Sequence, residues 1–262
     1  MQTSWGSATD RGRVRRLNED ALLAQPPVFL VADGMGGHAA GDVASRVAVA
    51  EFATLAGRDA VTHDDVQDCF LRAARGVREA VGAGRTGGTT VAGVVPTGSD
   101  GEPYWLVFNV GDSRVYRLAD GALEQVSVDH SIVQELIDTG RLRPQDAEAH
   151  PDRHVITRAV GTGAVPNPDY WLLPAGPADR VLICSDGLTQ ELDDDAIRFL
   201  LMDQPDPQAA AEILVQAAVE AGGRDNVSVV VVDVGAGPAS VVDEATVERP
   251  APPAAHDAET LQ

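Results

Sequence analysis

VFLVADG at residues 28–34 and RVLICSDG at residues 180–187 are the two stretches that decide the fold of this chain. Each is an apolar run that stops at an Asp-Gly pair. An unbroken apolar run of about four to eight residues, bounded by a turn signal, is typical of a strand buried on both faces. The two stretches therefore predict two central strands, which end at the carboxylates of Asp33 and Asp186.

Weaker patterns around these stretches predict the other elements. Strands are expected at residues 89–95, 104–110 and 114–118, as consecutive hairpins, and at residues 227–234. Helices are expected at residues 40–55, 64–81, 194–202 and 207–221, with Thr62 and Asp206 as N-caps. This set predicts an α+β domain, a four-layer α-β-β-α sandwich in which two antiparallel sheets are flanked by helix pairs. We assign residues 1–234 to the domain and the Pro-, Ala- and acid-rich residues 235–262 to a disordered tail.

Composition limits the classes of function. The 262 residues include 40 acidic and 20 basic residues, and the formal net charge is −20. So acidic a chain repels nucleic-acid phosphates and anionic membranes, whereas metal cations suit it as partners. Both cysteines lie in apolar segments, and we find neither a signal peptide nor an apolar run long enough to span a bilayer. We therefore expect a cytoplasmic protein that has no membrane segment and binds no nucleic acid.

Three aspartates are candidates for a metal site. Asp33 and Asp186 each end a buried strand, where an isolated negative charge would be costly, and Asp225 directly precedes the strand at 227–234. Antiparallel neighbours would bring the three carboxylates to one rim of the sheets. Clustered carboxylate oxygens suit Mg²⁺ or Mn²⁺ better than zinc, although a surface salt-bridge cluster is the simpler alternative.

The stretch RGRVRRLNED at residues 11–20 is the only strongly basic cluster in this acidic chain. A guanidinium group offers a planar pair of donors that matches two phosphate oxygens. An arginine beside an acidic metal site is therefore what an enzyme acting on phosphate esters would need. The alternative is that the four arginines only balance the acidic surface around them.

Eight short motifs together resemble the metal-dependent protein phosphatases, the type 2C family, in their bacterial form. In chain order they are RxxNED at 15–20, VADGMGGH at 31–38 with Gly41 and Ser45, GGTT at 87–90, VGDSR at 110–114, DHS at 129–131, ITRAVG at 156–161, CSDGL at 184–188 and GRDN at 223–226. The resemblance runs from about residue 3 to residue 234. So many motifs in the family order are specific, whereas any one alone is not.

The resemblance implies a two-metal site that holds Mn²⁺ or Mg²⁺. Asp33 would bridge the two ions, the carbonyl of Gly34 would bind the first, and Asp186 and Asp225 would bind the second. Arg15 matches the phosphate-binding arginine of the family.

The resemblance also implies supporting residues and a third ion. Glu19 and Asp20 would support the site through metal-bound waters, and Asp112 would hold a third ion together with Asp186. His154 lies in a segment, residues 129–163, that resembles the mobile flap of the family, and it is a further candidate ligand of the third ion.

The implied activity is hydrolysis of phosphoserine and phosphothreonine in proteins by direct attack of a metal-bridging water or hydroxide, with no phosphoenzyme. The expected partners are a Ser/Thr kinase and its phosphorylated substrates, and a monomer is expected. The general acid stays open, because Met35 stands where animal-type members have a histidine. A metal-bound water and His38 are the two candidates.

Three rival interpretations of the sequence are possible. One is a phosphatase of the sigma-factor regulatory branch. Another is a catalytically weak phosphoprotein-binding domain, which predicts the loss of metal carboxylates, yet Asp33, Asp186 and Asp225 are all present. The third is a cysteine-dependent phosphatase, because Cys69 and Arg75 have the required spacing. No Gly-rich phosphate loop follows that cysteine, however, and the segment is predicted to be helical.

Overall fold

The structure is a computed structural model that describes residues 1–36, 40–82, 86–99, 102–147, 149–163 and 165–235. Its strands are β1 (Thr3–Asp10), β2 (Asp20–Gln25), β3 (Val28–Gly36), β4 (Gly87–Thr89), β5 (Val91–Ser99), β6 (Glu102–Val110), β7 (Arg114–Ala119), β8 (Ala122–Gln125), β9 (Asp169–Pro174), β10 (Arg180–Cys184) and β11 (Val227–Val234). Its α-helices are α1 (Ala40–Ala53), α2 (His63–Val81), α3 (Ile132–Asp138), α4 (Asp186–Thr189), α5 (Asp194–Asp203) and α6 (Pro207–Ala221), with one 3-10 turn at Pro144–Asp146. His38 and nearly all of the predicted tail lie outside the described residues.

The strands form two antiparallel sheets. One has the order β1-β11-β10-β7-β8, and the other has the order β2-β3-β5-β6-β9, with β4 paired to β3. Three apolar clusters fill the interfaces of the four layers: one lies between α1–α2 and the second sheet, one between the two sheets, and one between the first sheet and α5–α6. These layers confirm the four-layer α-β-β-α sandwich that the sequence predicts.

Strand β3 shows why its apolar run is unbroken. Phe29 and Val31 point into the cluster between the sheets, whereas Leu30 and Ala32 point into the cluster under α1 and α2. Both faces of the strand are therefore buried, and no position from 28 to 32 is left for a polar residue. The strand does not end at Asp33, as the sequence predicts, but continues to Gly36, because residues 34–36 pair with β4. Asp33 therefore lies within β3, directly after its apolar run and at the edge of the core.

Side-chain caps fix the starts of two helices. Thr62 and Asp65 form a capping box at the start of α2, and Asp206 accepts a hydrogen bond from the backbone N–H of Ala209 ahead of α6. Both N-caps are confirmed. No helix within the described ranges combines the length and the apolar character needed to cross a bilayer.

The predicted run of consecutive hairpins is wrong at one step. β5 and β6 do pair, but β7 pairs with β10 and β8, so the chain crosses to the other sheet after β6. The crossing takes place at Gly111, which has φ +111°. The turn that follows therefore places Asp112 at the rim where the two sheets meet.

Candidate active site

Five aspartates meet at one end of the sandwich. Asp20 begins β2 and stands opposite Asp33 of β3 in the strand register. Asp186 begins α4 directly after β10, Asp225 precedes β11, and Asp112 occupies the turn between the sheets. The aspartates that the sequence predicts to converge therefore come from both sheets: Asp33 lies in one sheet, and Asp186 and Asp225 adjoin strands of the other.

Burial and mutual repulsion raise the pKa values of four of these carboxyls, those of Asp20, Asp33, Asp112 and Asp186. Burial is the main cause for each, followed for Asp33 by the charges of the other four, and it holds the Asp33 pKa well above the ordinary range. The pKa is raised to about 7 for Asp20, to about 8 for Asp112 and to about 6 for Asp186. Without a cation these groups therefore keep protons close to neutral pH.

The backbone of Asp33 is fixed by the GGTT motif. Its N–H donates to Thr90 Oγ1 at 2.9 Å, and its carbonyl oxygen accepts from the Thr90 N–H and from Thr89 Oγ1, both at 2.9 Å. Thr90 Oγ1 in turn lies 2.7 Å from Ser113 Oγ, next to Asp112. This network ties the Asp33 strand to the turn that carries Asp112.

Gly34 is packed so closely that only glycine fits. An added Cβ would lie 2.1 Å from the carbonyl oxygen of Gly41, and the Gly34 N–H donates to the carbonyl oxygen of Glu19 at 3.2 Å. That carbonyl oxygen also accepts from Ser45 Oγ at 2.6 Å. The NED and DGMG segments and the start of α1 are thereby held as one unit around Asp33.

Two buried carboxylate oxygens of this site lack hydrogen-bond partners among the described residues, and a cation would satisfy them. They are Asp186 Oδ1 and Asp20 Oδ1. Their companion oxygens are bonded, because Asp186 Oδ2 accepts from Gln190 Nε2 at 2.6 Å and Asp20 Oδ2 accepts from Ser185 Oγ at 2.9 Å. Leaving a buried carboxylate oxygen unpaired is costly, and Mg²⁺ and Mn²⁺ prefer this kind of ligand.

An ion held by these carboxylates would keep part of its water shell. No three His, Cys, Asp or Glu side chains in the described part of the chain converge closely enough to form a direct metal cage. Mg²⁺ commonly keeps several waters and takes only one or two carboxylates from the protein. The donor set therefore fits a divalent ion that is largely coordinated by water.

Arg15 reaches over this cluster. Its NH2 group donates to Asp225 Oδ2 at 2.6 Å, and its side chain is 51% exposed. Partial burial lowers the Arg15 pKa, but the charges of Asp225, Asp33 and Asp186 outweigh this and raise it overall. The guanidinium is held at the edge of the acidic cluster, and its other N–H groups form no hydrogen bond with the described residues.

A cavity of about 610 Å³ opens beside Asp112 and Asp186, and residues of the predicted flap form its opposite side. His154 lies on this wall, together with Arg153. No hydrogen bond joins His154 to either aspartate among the described residues. A role for His154 as a ligand of a third ion stays a prediction.

Asn226 is a residue whose role sequence reasoning missed, although its motif was recognised. The side chain is buried, its Oδ1 accepts from the Glu19 N–H, and its Nδ2 donates to the carbonyl oxygens of Arg11 and Leu17, all at 2.9 Å. One amide therefore holds both ends of the loop that carries Arg15. Its position directly after Asp225 was the available signal.

Replacing Asn226 with alanine is expected to lower both stability and kcat/KM. Three backbone groups lose their partner, which should reduce the free energy of unfolding by about 2–3 kcal/mol. Arg15 loses its fixed position at the same time. Urea unfolding and phosphopeptide kinetics measure the two effects. Asn226→Asp should do no better than alanine, because its second carboxylate oxygen would face the two carbonyl oxygens that the amide now binds. A fully active and equally stable alanine variant would show that the amide does not hold the loop.

His130 performs a similar function for the Asp112 turn. Its Nδ1 accepts from the Gly111 N–H at 3.1 Å, and its Nε2 lies 3.1 Å from Asp169 Oδ2. A neutral ring can make both hydrogen bonds only when its proton is on Nε2, so that Nε2 donates to Asp169. Asp169 is also bound by Arg158 at 2.8 Å. Burial lowers the pKa of His130, which keeps the ring neutral. The DHS and ITRAVG motifs are thus connected through Asp169, which lies in neither of them.

Known proteins resemble this chain over most of its length. A family model described as protein phosphatase 2C matches residues 11–217. The serine/threonine protein phosphatase PstP of Mycobacterium tuberculosis is 38% identical over 237 residues, which cover 88% of this chain and 45% of PstP. The chain therefore spans about half the length of that relative.

Solved structures share the fold. The Ser-Thr phosphatase MsPP of Mycobacterium smegmatis, solved in complex with cacodylate, superimposes with a TM-score of 0.80 at 40% identity, covering 88% of this chain and 98% of that one. The catalytic domain of PstP, solved with 2 manganese ions, gives a TM-score of 0.78 at 34% identity, covering 89% and 99%. By its family match, its relatives and its fold, the chain belongs to the protein phosphatase 2C family.

Proposed function

We propose that this domain is a metal-dependent protein serine/threonine phosphatase that hydrolyses phosphoserine and phosphothreonine. The observation that supports this most is the juxtaposition of Arg15 with a cluster of buried and partly buried aspartates, two of which have an oxygen without a partner. Hydrolysis of a phosphate ester would use both features. Cations would neutralise the negative charge that develops on the phosphoryl oxygens, and a guanidinium would orient the ester.

The candidate ligands fit the chemistry that such a reaction requires. Asp33, the Gly34 carbonyl, Asp186 and Asp225 would hold two divalent ions, Mn²⁺ or Mg²⁺, and Asp112 with Asp186 would hold a third. When bound, such ions neutralise charge on phosphoryl oxygens and lower the pKa of water enough to supply hydroxide near neutral pH. The two manganese ions in the structure of the PstP catalytic domain support this assignment.

Side chains of this domain would bind the phosphoryl group and hold the site in place. Arg15 would bind the phosphoryl oxygens through the N–H groups that Asp225 leaves free, so Asp225 both orients the arginine and balances its charge. Asp20 is anchored by Ser185, whose Oγ also accepts from the Ser228 N–H at 2.9 Å, so the site is fixed to both sheets. Such preorganisation lets the protein supply position and charge without a nucleophile of its own.

A cysteine-dependent mechanism has no support. Cys69 lies inside α2, fully buried in the cluster under the helices, and burial raises the pKa of its thiol. A nucleophilic cysteine needs a lowered pKa and access to substrate. The same candidate site also argues against a catalytically weak binding domain, because every predicted metal carboxylate is present at the rim.

The partners and location stay predictions. The relatives named above are serine/threonine phosphatases, and no observation favours the sigma-factor branch. Phosphorylated proteins are therefore the proposed substrates, and opposition to a Ser/Thr kinase is the proposed role. A cytoplasmic location agrees with two cysteines that are free and buried, and the monomeric state stays a prediction as well.

The test is phosphate release from phosphoserine and phosphothreonine peptides after removal of metal with a chelator. Activity is expected to return with Mn²⁺ or Mg²⁺ and to be absent without them. Acid quenching during turnover of a ³²P-labelled peptide should leave no label on the protein. Inactivity with both metals would overturn the proposed function, and a labelled protein would overturn direct attack by water.

A further inference from the structure

The loop at residues 11–17, which we call the arginine loop, carries positive charge that the fold does not neutralise. Arg11, Arg13 and Arg16 are exposed, and none forms a salt bridge with a carboxylate of the described residues. Most of the other arginines among the described residues do form a salt bridge with a carboxylate. In a protein of net charge −20, unpaired arginines that adjoin the site are not explained by local charge balance.

The backbone of the arginine loop is fixed. Asn226 holds the carbonyl oxygens of Arg11 and Leu17, and the Arg13 N–H donates to the carbonyl oxygen of Gly223 at 2.7 Å. Gly12 has φ +74°, and an added Cβ there would lie 2.2 Å from the carbonyl oxygen of Asp225. The arginines therefore project from a backbone packed directly on a candidate metal-ligand residue, which reduces the entropy cost of binding a partner.

Two of these arginines lie close enough to Arg15 to contact the residues that flank a phosphorylated side chain bound there. Successive Cα atoms are about 3.8 Å apart, so Arg13 and Arg16 start within roughly 8 Å of the Cα of Arg15. Val14 and Leu17, which alternate with them, are 66% and 54% exposed. A substrate whose phosphate contacts Arg15 would thus place its flanking residues against guanidinium groups and two apolar side chains.

Because the protein as a whole is strongly acidic, the local positive charge of the arginine loop would change which substrates are attracted to the site. An acidic substrate would be repelled by most of the surface, and a basic one would be attracted without any special patch. Arginines bind carboxylates and phosphates through paired N–H donors. Resting on the proposed function, we propose that the arginine loop selects phosphoserine and phosphothreonine sites flanked by anionic groups, either acidic residues or a second phosphate.

The test compares phosphothreonine peptides that differ only in the residues flanking the phosphorylated one. One has neutral flanks, one has aspartates, one has a second phosphoserine and one has lysines. With Mn²⁺ present, kcat/KM for the anionic peptides is expected to exceed that for the neutral peptide by about tenfold, and the ratio should shrink at high salt. The aspartate and phosphoserine arms distinguish carboxylate from phosphate recognition.

Variants locate the effect. Arg13→Gln with Arg16→Gln should bring the ratio close to one, whereas Arg75→Gln should leave it unchanged. Arg75 is a matched control because it is exposed, lies on α2 and also lacks a salt bridge within the described residues. The proposal is overturned if the wild type shows no preference, if the double variant keeps it, or if Arg75→Gln removes it equally. Failure to hydrolyse even the neutral peptide would instead refute the proposed function, and this inference with it.

Discussion

Replacing Asp33 with asparagine is expected to lower kcat by about 10³-fold or more while leaving the metal-free protein at least as stable as the wild type. The loss of activity follows because Asp33 is the proposed bridging ligand, and removing even one electrostatic contact to a transition state costs about 10²–10³-fold. The stability follows because the other four aspartates repel the Asp33 charge and help to raise its pKa. Asparagine keeps the shape of the group and removes that charge.

The measurements are Mn²⁺-dependent phosphopeptide hydrolysis and thermal unfolding with a chelator at pH 8. The expected rise in Tm is about 2–4 °C, the shift that roughly 1 kcal/mol produces in a domain of this size. Asp64→Asn is the matched control, because this side chain is 97% exposed on α2, and both readouts should stay at the wild-type value. An active Asp33→Asn enzyme would remove Asp33 from the mechanism, and strong destabilisation would show that its charge is structural.

The stability of the metal-free protein is expected to fall as pH rises from 6 to 8. The pKa values of Asp186, Asp20 and Asp112, raised by burial to about 6, 7 and 8, lie well above those of unfolded aspartates. The folded state therefore binds more protons than the unfolded state across this range, so the free energy of unfolding decreases as pH rises and levels off only once those protons have left. Divalent ions should reverse the trend, because they replace the protons as counter-charges.

Thermal unfolding at pH 6, 7 and 8, with a chelator and with Mn²⁺, checks this expectation. The chelated protein should show its highest Tm at pH 6, and the Tm increase on adding Mn²⁺ should be largest at pH 8. The Asp33→Asn variant should show a flatter profile with chelator, since one repelling charge is gone. A chelated wild type that becomes more stable between pH 6 and pH 8 would contradict the assigned proton binding.

The central strands and the main helices could be predicted because their signals are local. β3 and β10 are buried on both faces, which requires an uninterrupted apolar run, and α2 and α6 begin at capping residues. β1 and β9 lie at sheet edges and are mostly exposed or partly exposed, so their sequences alternate poorly and gave no prediction. The change of sheet after β6 depends on long-range pairing, which no local pattern encodes.

The residues of the candidate site likewise fall into two groups, those that local sequence signals predict and those that they do not. The aspartates that follow or precede apolar runs could be recognised from their positions, and the order of the motifs indicated the family. The side chains that hold them could not, because Asn226, His130 and Asp169 act through partners distant in sequence. A buried asparagine that binds two carbonyl oxygens about 200 positions away looks, in the sequence alone, like any loop residue.

Anomalous scattering at the manganese edge, from crystals soaked in Mn²⁺, tests the central claim most directly. If the clustered carboxylates hold the catalytic ions, two strong peaks should lie beside Asp33, with Asp186 and Asp225 at ligand distance or bridged by one water. The same soak of the Asp33→Asn variant should lose at least one of them. An empty cluster in the wild type, with manganese bound only elsewhere on the surface, would contradict the account.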